Sequence, residues 1–84
     1  MASVEEFEAA VKSVKGLSKA PDNSSLLELY AFYKQATSGD ASGKRPGMLD
    51  VRGRAKFDAW SKVKGLSAED ARSKYAAKVK SLGA

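Results

Sequence analysis

Tyr30, Tyr33 and Lys34 stand three and four residues apart, the spacing at which side chains share one side of a helix. A tyrosine ring offers a flat surface to a base, and its hydroxyl offers a hydrogen bond to a phosphate oxygen. The ammonium of Lys34, one turn beyond Tyr30, reaches the same phosphate. Leu26 and Leu27 add apolar surface one turn earlier, so this side has an anion-binding end and a greasy end. The same pattern also suits an ordinary core stripe with Lys34 at its solvated edge.

Arg52 and Lys56 form a second constellation, four apart with Trp60 a turn later. Like charges at that spacing repel, which favours an anion between them, although a solvated basic side would look the same. Lys15 and Lys64 fall at helix C-termini, where the helix dipole already favours a cation. Trp60 reads as a core residue before it reads as a ligand platform. The sequence has no cysteine and no histidine, which removes disulfides, thiolate or imidazole metal sites, and Ser-His or Cys-His nucleophiles.

Four helices are needed to position these residues. The first spans about Ser3 to Lys15, with Ser3 and Glu6 as a capping box and Phe7, Val11 and Val14 on one stripe. Gly16 ends it and Leu17 folds back over the last turn. Asp22 caps the second, which runs to about Ser38 before Gly39 stops it. At about 100° per residue, Leu26, Leu27, Tyr30, Tyr33 and Lys34 occupy a sector roughly 120° wide. Leu29, Phe32 and Ala36 lie nearly opposite. A helix apolar on two sides must bury both, one in the bundle core and one against a further helix or a ligand.

Asp40 to Asp50 is a long loop punctuated by Gly43, Pro46 and Gly47, and a loop of that length in a small domain suggests function. The third helix runs from about Arg52 to Lys64, with Val51, Ala55, Ala59, Trp60 and Val63 apolar. Ser67 and Asp70 open the fourth as a second capping box, and Ala71, Tyr75, Val79 and Leu82 form its stripe. Val14-Lys15-Gly16-Leu17-Ser18 recurs as Val63-Lys64-Gly65-Leu66-Ser67, which reads as two helices sharing one kind of glycine stop. No segment alternates like a strand. An all-α four-helix bundle in one domain, residues 1–84, is the expectation.

With 84 residues and 15 Lys+Arg against 10 Asp+Glu, the net charge is +5. That modest excess suits a ligand with a few phosphates, an anionic membrane surface or nucleic acid. Acidic residues interspersed along every helix argue against nucleic acid, and the acidic first helix argues against a membrane-surface module. The acidic start, Met1–Glu8, does not read as a secretory signal, and no apolar run approaches the roughly 18 residues of a membrane span. A soluble, intracellular protein is expected.

The stretch Tyr30-Ala31-Phe32-Tyr33-Lys34-Gln35-Ala36-Thr37-Ser38-Gly39-Asp40 resembles the signature of the acyl-CoA-binding protein family. So do Arg45-Pro46-Gly47-Met48-Leu49-Asp50, Lys56-Phe57-Asp58-Ala59-Trp60 and Lys64-Gly65-Leu66-Ser67-Ala68-Glu69-Asp70-Ala71. The likeness covers nearly the whole chain. It implies an up-down-down-up bundle with a long loop between helices 2 and 3, and a surface bowl for long-chain acyl-CoA. By this likeness Tyr30 and Lys34 hold the adenine and 3′-phosphate end, joined by Lys56 and Tyr75, with Lys15 near the phosphates. Leu26 and Leu27 match the acyl channel, and Ala31, Phe32 and Tyr33 belong to the same ligand-binding stretch. Arg52 stands where the family commonly has lysine, and Phe57 where it often has tryptophan. The implied protein is a non-enzymatic, monomeric, cytoplasmic carrier of medium- to long-chain acyl-CoA, with transient contacts to membranes or acyl-CoA-using enzymes. No nucleic acid, metal or cofactor is implied; acyl-CoA is the cargo.

Overall fold

The computed structural model describes residues 4–83. Four helices, α1 (Val4–Val14), α2 (Asn23–Ser38), α3 (Val51–Lys62) and α4 (Ala68–Ser81), make an all-α bundle with no strand among these residues. The starts of α2, α3 and α4 each have a local cause. The Asp22 carboxylate accepts the Ser25 amide at 2.9 Å, the Asp50 carboxylate accepts the Gly53 amide at 3.0 Å, and Ser67 Oγ accepts the Asp70 amide at 3.0 Å. Gly39 stops α2 with φ 80, its N–H returning to the Gln35 carbonyl, a left-handed conformation that glycine adopts without a Cβ penalty.

Sequence and structure differ at several ends. Ser3, read as the first cap, lies outside the described residues. Helix α3 begins at Val51, one residue before the expected Arg52, because Asp50 is its cap. It ends at Lys62, not Lys64, because Val63–Gly65 form a turn. The repeated pentapeptide stops its two helices differently. Gly65 has φ 95, whereas Gly16 is not among the positive-φ glycines. The Gly65 amide donates to the Asp40 carboxylate at 2.8 Å, so tertiary contact decides that turn.

Topology can be read from side-chain partners. Along α2 and α3, Lys56 lies over Tyr30 and Lys34 lies over Trp60, both sequence numbers rising together, so the two helices run parallel. Along α2 and α4, Glu28 pairs with Lys78 and Tyr33 meets Tyr75, so those two run antiparallel. The order is up-down-down-up, and loop 39–50 is the crossover that parallel neighbours require. The Cα extents of 34 × 28 × 15 Å leave room for two helix layers spaced about 8–10 Å apart.

The core lies between three helices: Phe7 and Ala10 of α1, Leu29 of α2, and Tyr75 and Val79 of α4, with Val11, Val14, Phe32, Ala36, Ala76 and Leu82 packed against them. No residue of α3 is fully buried. Helix α2 therefore resolves its two apolar sides as the sequence demanded, one against α1 and α4 and the other toward α3. The α3 side closes incompletely. Small residues, Ala31 of α2 with Ala55 and Ala59 of α3, line the space between the two helices, and cavities remain along the seam.

Candidate ligand-binding site

Two cavities flank the α2–α3 seam and share Leu27 and Ala55. The first, about 490 Å³, is lined by Asn23, Leu26, Leu27 and Tyr30 of α2 and by Val51, Arg52, Ala55 and Lys56 of α3. The second, about 510 Å³, lies against Ala31, Phe32, Ala59 and Val63, with Glu28, Asp58 and Lys62 at its rim. Both volumes fall in the range typical of small-molecule sites, about 300–1,000 Å³. The first has the chemistry of an amphiphile's site. Leucine, valine and alanine make its apolar surface, Tyr30 supplies an aromatic ring, and Arg52 and Lys56 supply positive charge.

Cations and rings alternate across the seam. The Lys56 ammonium lies 5.4 Å from the Tyr30 ring centre. One turn further on, the Lys34 ammonium lies 5.0 Å from the Trp60 ring. Each helix thus sets a cation over the other's aromatic face, an attraction worth about 0.5–1 kcal/mol where exposed. The sequence placed Tyr30 with Lys34, and Lys56 with Trp60, each pair on its own helix; the crossed pairing appears only when the helices lie parallel. Trp60 is half-buried instead of central to the core, and its indole N–H donates to the Gly39 carbonyl at 2.7 Å. That bond ties the start of the long loop to α3.

The structure gathers Leu26, Leu27, Tyr30, Arg52 and Lys56 around one groove, with Lys34 a turn further along the seam. It sets the other expected residues elsewhere. Tyr33 and Tyr75 form an aromatic cluster with Phe7, at ring separations of 5.9 Å for Phe7–Tyr33, 5.2 Å for Phe7–Tyr75 and 6.3 Å for Tyr33–Tyr75. Tyr33 remains 41% exposed at the edge of this cluster while Tyr75 is buried. Burial, and then the neighbouring Tyr33, push the Tyr75 hydroxyl's pKa above the ordinary tyrosine value. Ala31 is buried and Phe32 packs on the core; both line the second cavity, not the first. Lys15 is exposed in the turn after α1 and lines neither cavity.

Sequence reasoning missed the residues that hold the site's walls. The Gln35 side-chain amide donates to the Asp40 carboxylate at 2.7 Å and to the Leu66 carbonyl at 2.9 Å. Asp40 Oδ1 thus accepts both Gln35 and the Gly65 amide. These donors, the backbone amide first and the glutamine second, hold the Asp40 carboxyl below its ordinary pKa of 3.8. Further along the loop, the Arg45 guanidinium grips Asp58 of α3 through two hydrogen bonds, at 2.8 and 2.6 Å.

A sequence model described as acyl-CoA-binding protein matches residues 4–79. The chain belongs to the acyl-CoA-binding protein family. It is 53% identical over 83 residues to an acyl-CoA-binding protein homolog from Manduca sexta, covering 98% of this chain and 92% of that one. A homolog from Drosophila melanogaster is 46% identical over 78 residues, covering 93% and 91%. Among solved structures, Oryza sativa Acyl-CoA-Binding Protein 2 superposes with a TM-score of 0.88 at 44% identity, over 93% of this chain and 85% of that one. Set on the fold, the family's motifs divide by role. Gln35, Asp40, Arg45, Asp58, Trp60 and Gly65 bind the loops to the helices, and Tyr30 and Lys56 face the groove.

Proposed function

We propose that this protein binds medium- to long-chain fatty acyl-CoA thioesters and serves as their intracellular carrier and pool former. One observation carries the reading: a single groove joins an apolar floor of Leu26, Leu27, Val51 and Ala55 to the cations Arg52 and Lys56 and the ring of Tyr30. Acyl-CoA has this same division, an alkyl chain at one end and a phosphorylated nucleotide at the other. Each buried methylene is worth about 0.8 kcal/mol, so the chain supplies most of the affinity. The cationic end fixes orientation and disfavours a free fatty acid.

In this reading Tyr30, Lys34 and Lys56 hold the nucleotide end, with Arg52 beside the groove mouth. Tyr33 of α2, Tyr75 of α4 and Lys15 of the turn after α1 extend the site once the nucleotide lies across the aromatic cluster. Ala31 and Phe32 shape the wall behind it. The protein acts as a single domain and a monomer, in the cytoplasm, and leaves the thioester intact. Free acyl-CoA in the same compartment, and the enzymes that use it, are its natural partners; nucleic acid is not.

Calorimetric titration with an acyl-CoA series, free CoA and free fatty acid tests this. Affinity is expected to rise with chain length up to a limit, by roughly fourfold per methylene, and free CoA is expected to bind far more weakly. Equal affinity for CoA and its long-chain thioester would sink the carrier reading. Release of free thiol on incubation would show that the thioester is consumed.

A further inference from the structure

Of the two cavities beside the α2–α3 seam, the one with Arg52, Lys56 and Tyr30 is the acyl-CoA groove. The other is as large, about 510 Å³, and its floor is Leu27, Ala31, Phe32, Ala59 and Val63. An apolar floor of that size left to water is unfavourable, and covering it with hydrocarbon stabilises whatever lies there.

The rim indicates what can lie there. Its charged side chains are Glu28, Asp58 and Lys62. Glu28 is paired with Lys78 of α4 at 2.7 Å, and Asp58 is held by two hydrogen bonds from Arg45 of the long loop. Those bonds first, and the charges of Arg45, Arg54 and Lys62 after them, keep the Asp58 carboxyl below its ordinary 3.8. Each charge on the rim is thus already answered by the protein itself. A second phosphate or a free carboxylate would find two carboxylates and no uncommitted cation. An uncharged alkyl segment fits, because it needs the floor and asks nothing of the rim.

The first cavity supplies such a segment. The two cavities have only Leu27 and Ala55 in common, so one leucine side chain and one methyl group form the partition. A leucine turns between staggered rotamers, and α3 is tied to its surroundings by polar contacts that let the seam widen. The second cavity also extends further along α3, to Val63, than the first, which stops at Lys56. We propose that the second cavity is the terminal pocket of the acyl groove, entered between Leu27 and Ala55 by chains too long for the first. The proposal rests on the acyl-CoA reading and deepens it, naming very-long-chain thioesters as part of the cargo.

Calorimetric titration with lauroyl-, palmitoyl- and behenoyl-CoA tests this. Wild-type protein is expected to bind behenoyl-CoA more tightly than palmitoyl-CoA. Ala59→Leu narrows the second cavity at a position outside the first, and leucine is a strong helix former. The variant is expected to bind behenoyl-CoA roughly tenfold to a hundredfold more weakly, the equivalent of about two to three methylenes, and to keep lauroyl-CoA within about twofold. A second measurement needs no variant. With its terminal methyl isotope-labelled, behenoyl-CoA is expected to show nuclear Overhauser contacts to the Ala59 and Val63 methyls, and labelled lauroyl-CoA to show none. Behenoyl-CoA that binds no more tightly than palmitoyl-CoA overturns the proposal, as does a terminal methyl that touches neither Ala59 nor Val63. If Ala59→Leu weakens all three ligands alike, the substitution has disturbed the whole seam, and the wild-type methyl contacts decide. Lauroyl-CoA serves as the separate control: if it binds no better than free CoA, the carrier reading itself fails, whereas a plateau beyond palmitoyl-CoA with lauroyl-CoA still bound removes only the terminal pocket.

Discussion

Lys34 stands over Trp60, so any phosphate that recruits its ammonium must draw it from an aromatic face. That exchange is favourable, since a charge-assisted hydrogen bond contributes roughly 1.5–3 kcal/mol against about 0.5–1 kcal/mol for an exposed cation–π contact. Lys34→Ala is therefore expected to weaken acyl-CoA binding by about tenfold to a hundredfold, with the helix intact because alanine is a strong helix former. A cycle that crosses this substitution with a ligand lacking the 3′-phosphate locates the contact. Non-additive losses assign Lys34 to that phosphate, and additive ones remove it from the nucleotide end. Trp60, the one tryptophan, reports the same event: its fluorescence is expected to change on titration with acyl-CoA, and the change to shrink in Lys34→Ala. A spectrum unmoved at saturation would mean that Lys34 stays on the ring.

At the scale of the helices and their connections, the Gln35–Asp40 hub is what keeps the α2 end, the long loop and the α3–α4 turn together. Gln35 is 2% exposed and supplies two hydrogen bonds there, so Gln35→Leu is expected to cost about 1–3 kcal/mol, read by chemical denaturation. Asp40 adds a pH dependence. Its carboxyl titrates below its ordinary value of 3.8, as Asp22 does through Ser25 and Asp58 through Arg45. A lowered carboxylate stabilises the fold fully above pH 3.8 and loses that contribution as pH falls through the folded value. The thermal midpoint is expected to be level from neutrality to about pH 4 on account of these groups, and to fall below it. In Asp40→Asn the deficit at pH 7 should narrow in acid; a constant deficit would show that the carboxylate charge is not what matters. The four helices were legible in sequence because their causes are local: Asp22 and Ser67 as caps, Gly39 as a stop, stripes at helical spacing. The hub was not legible, since Gln35 meets Leu66, and Asp40 meets Gly65, only after α3 has been laid alongside α2. The groove was half legible for the same reason. Periodicity placed Leu26, Leu27 and Tyr30 together on α2, and Arg52 and Lys56 on α3, but the crossed pairing of Tyr30 with Lys56 belongs to the packing.

On the scale of the whole molecule, the bundle is held from one side. Helices α1, α2 and α4 share the buried core, while α3 has no fully buried residue and leans on α2 across a seam of alanines. Beyond that seam its attachments are polar: Trp60 to Gly39, Arg45 to Asp58, and the lysines over their rings. Such attachments break and re-form more readily than an apolar core. In terms of amide hydrogen exchange, α3 is then expected to behave as a separate cooperative unit, opening while the other three helices remain shut. Its amides are expected to exchange faster than those of α2 and α4 in the free protein. A ligand seated between α2 and α3 binds only the closed form, so it should slow exchange in α3 far more than elsewhere, by a factor that grows with ligand concentration above its Kd. Uniform protection across all four helices would mean that α3 opens only with the rest. Selective protection would mean that the cargo completes the core that α3 lacks.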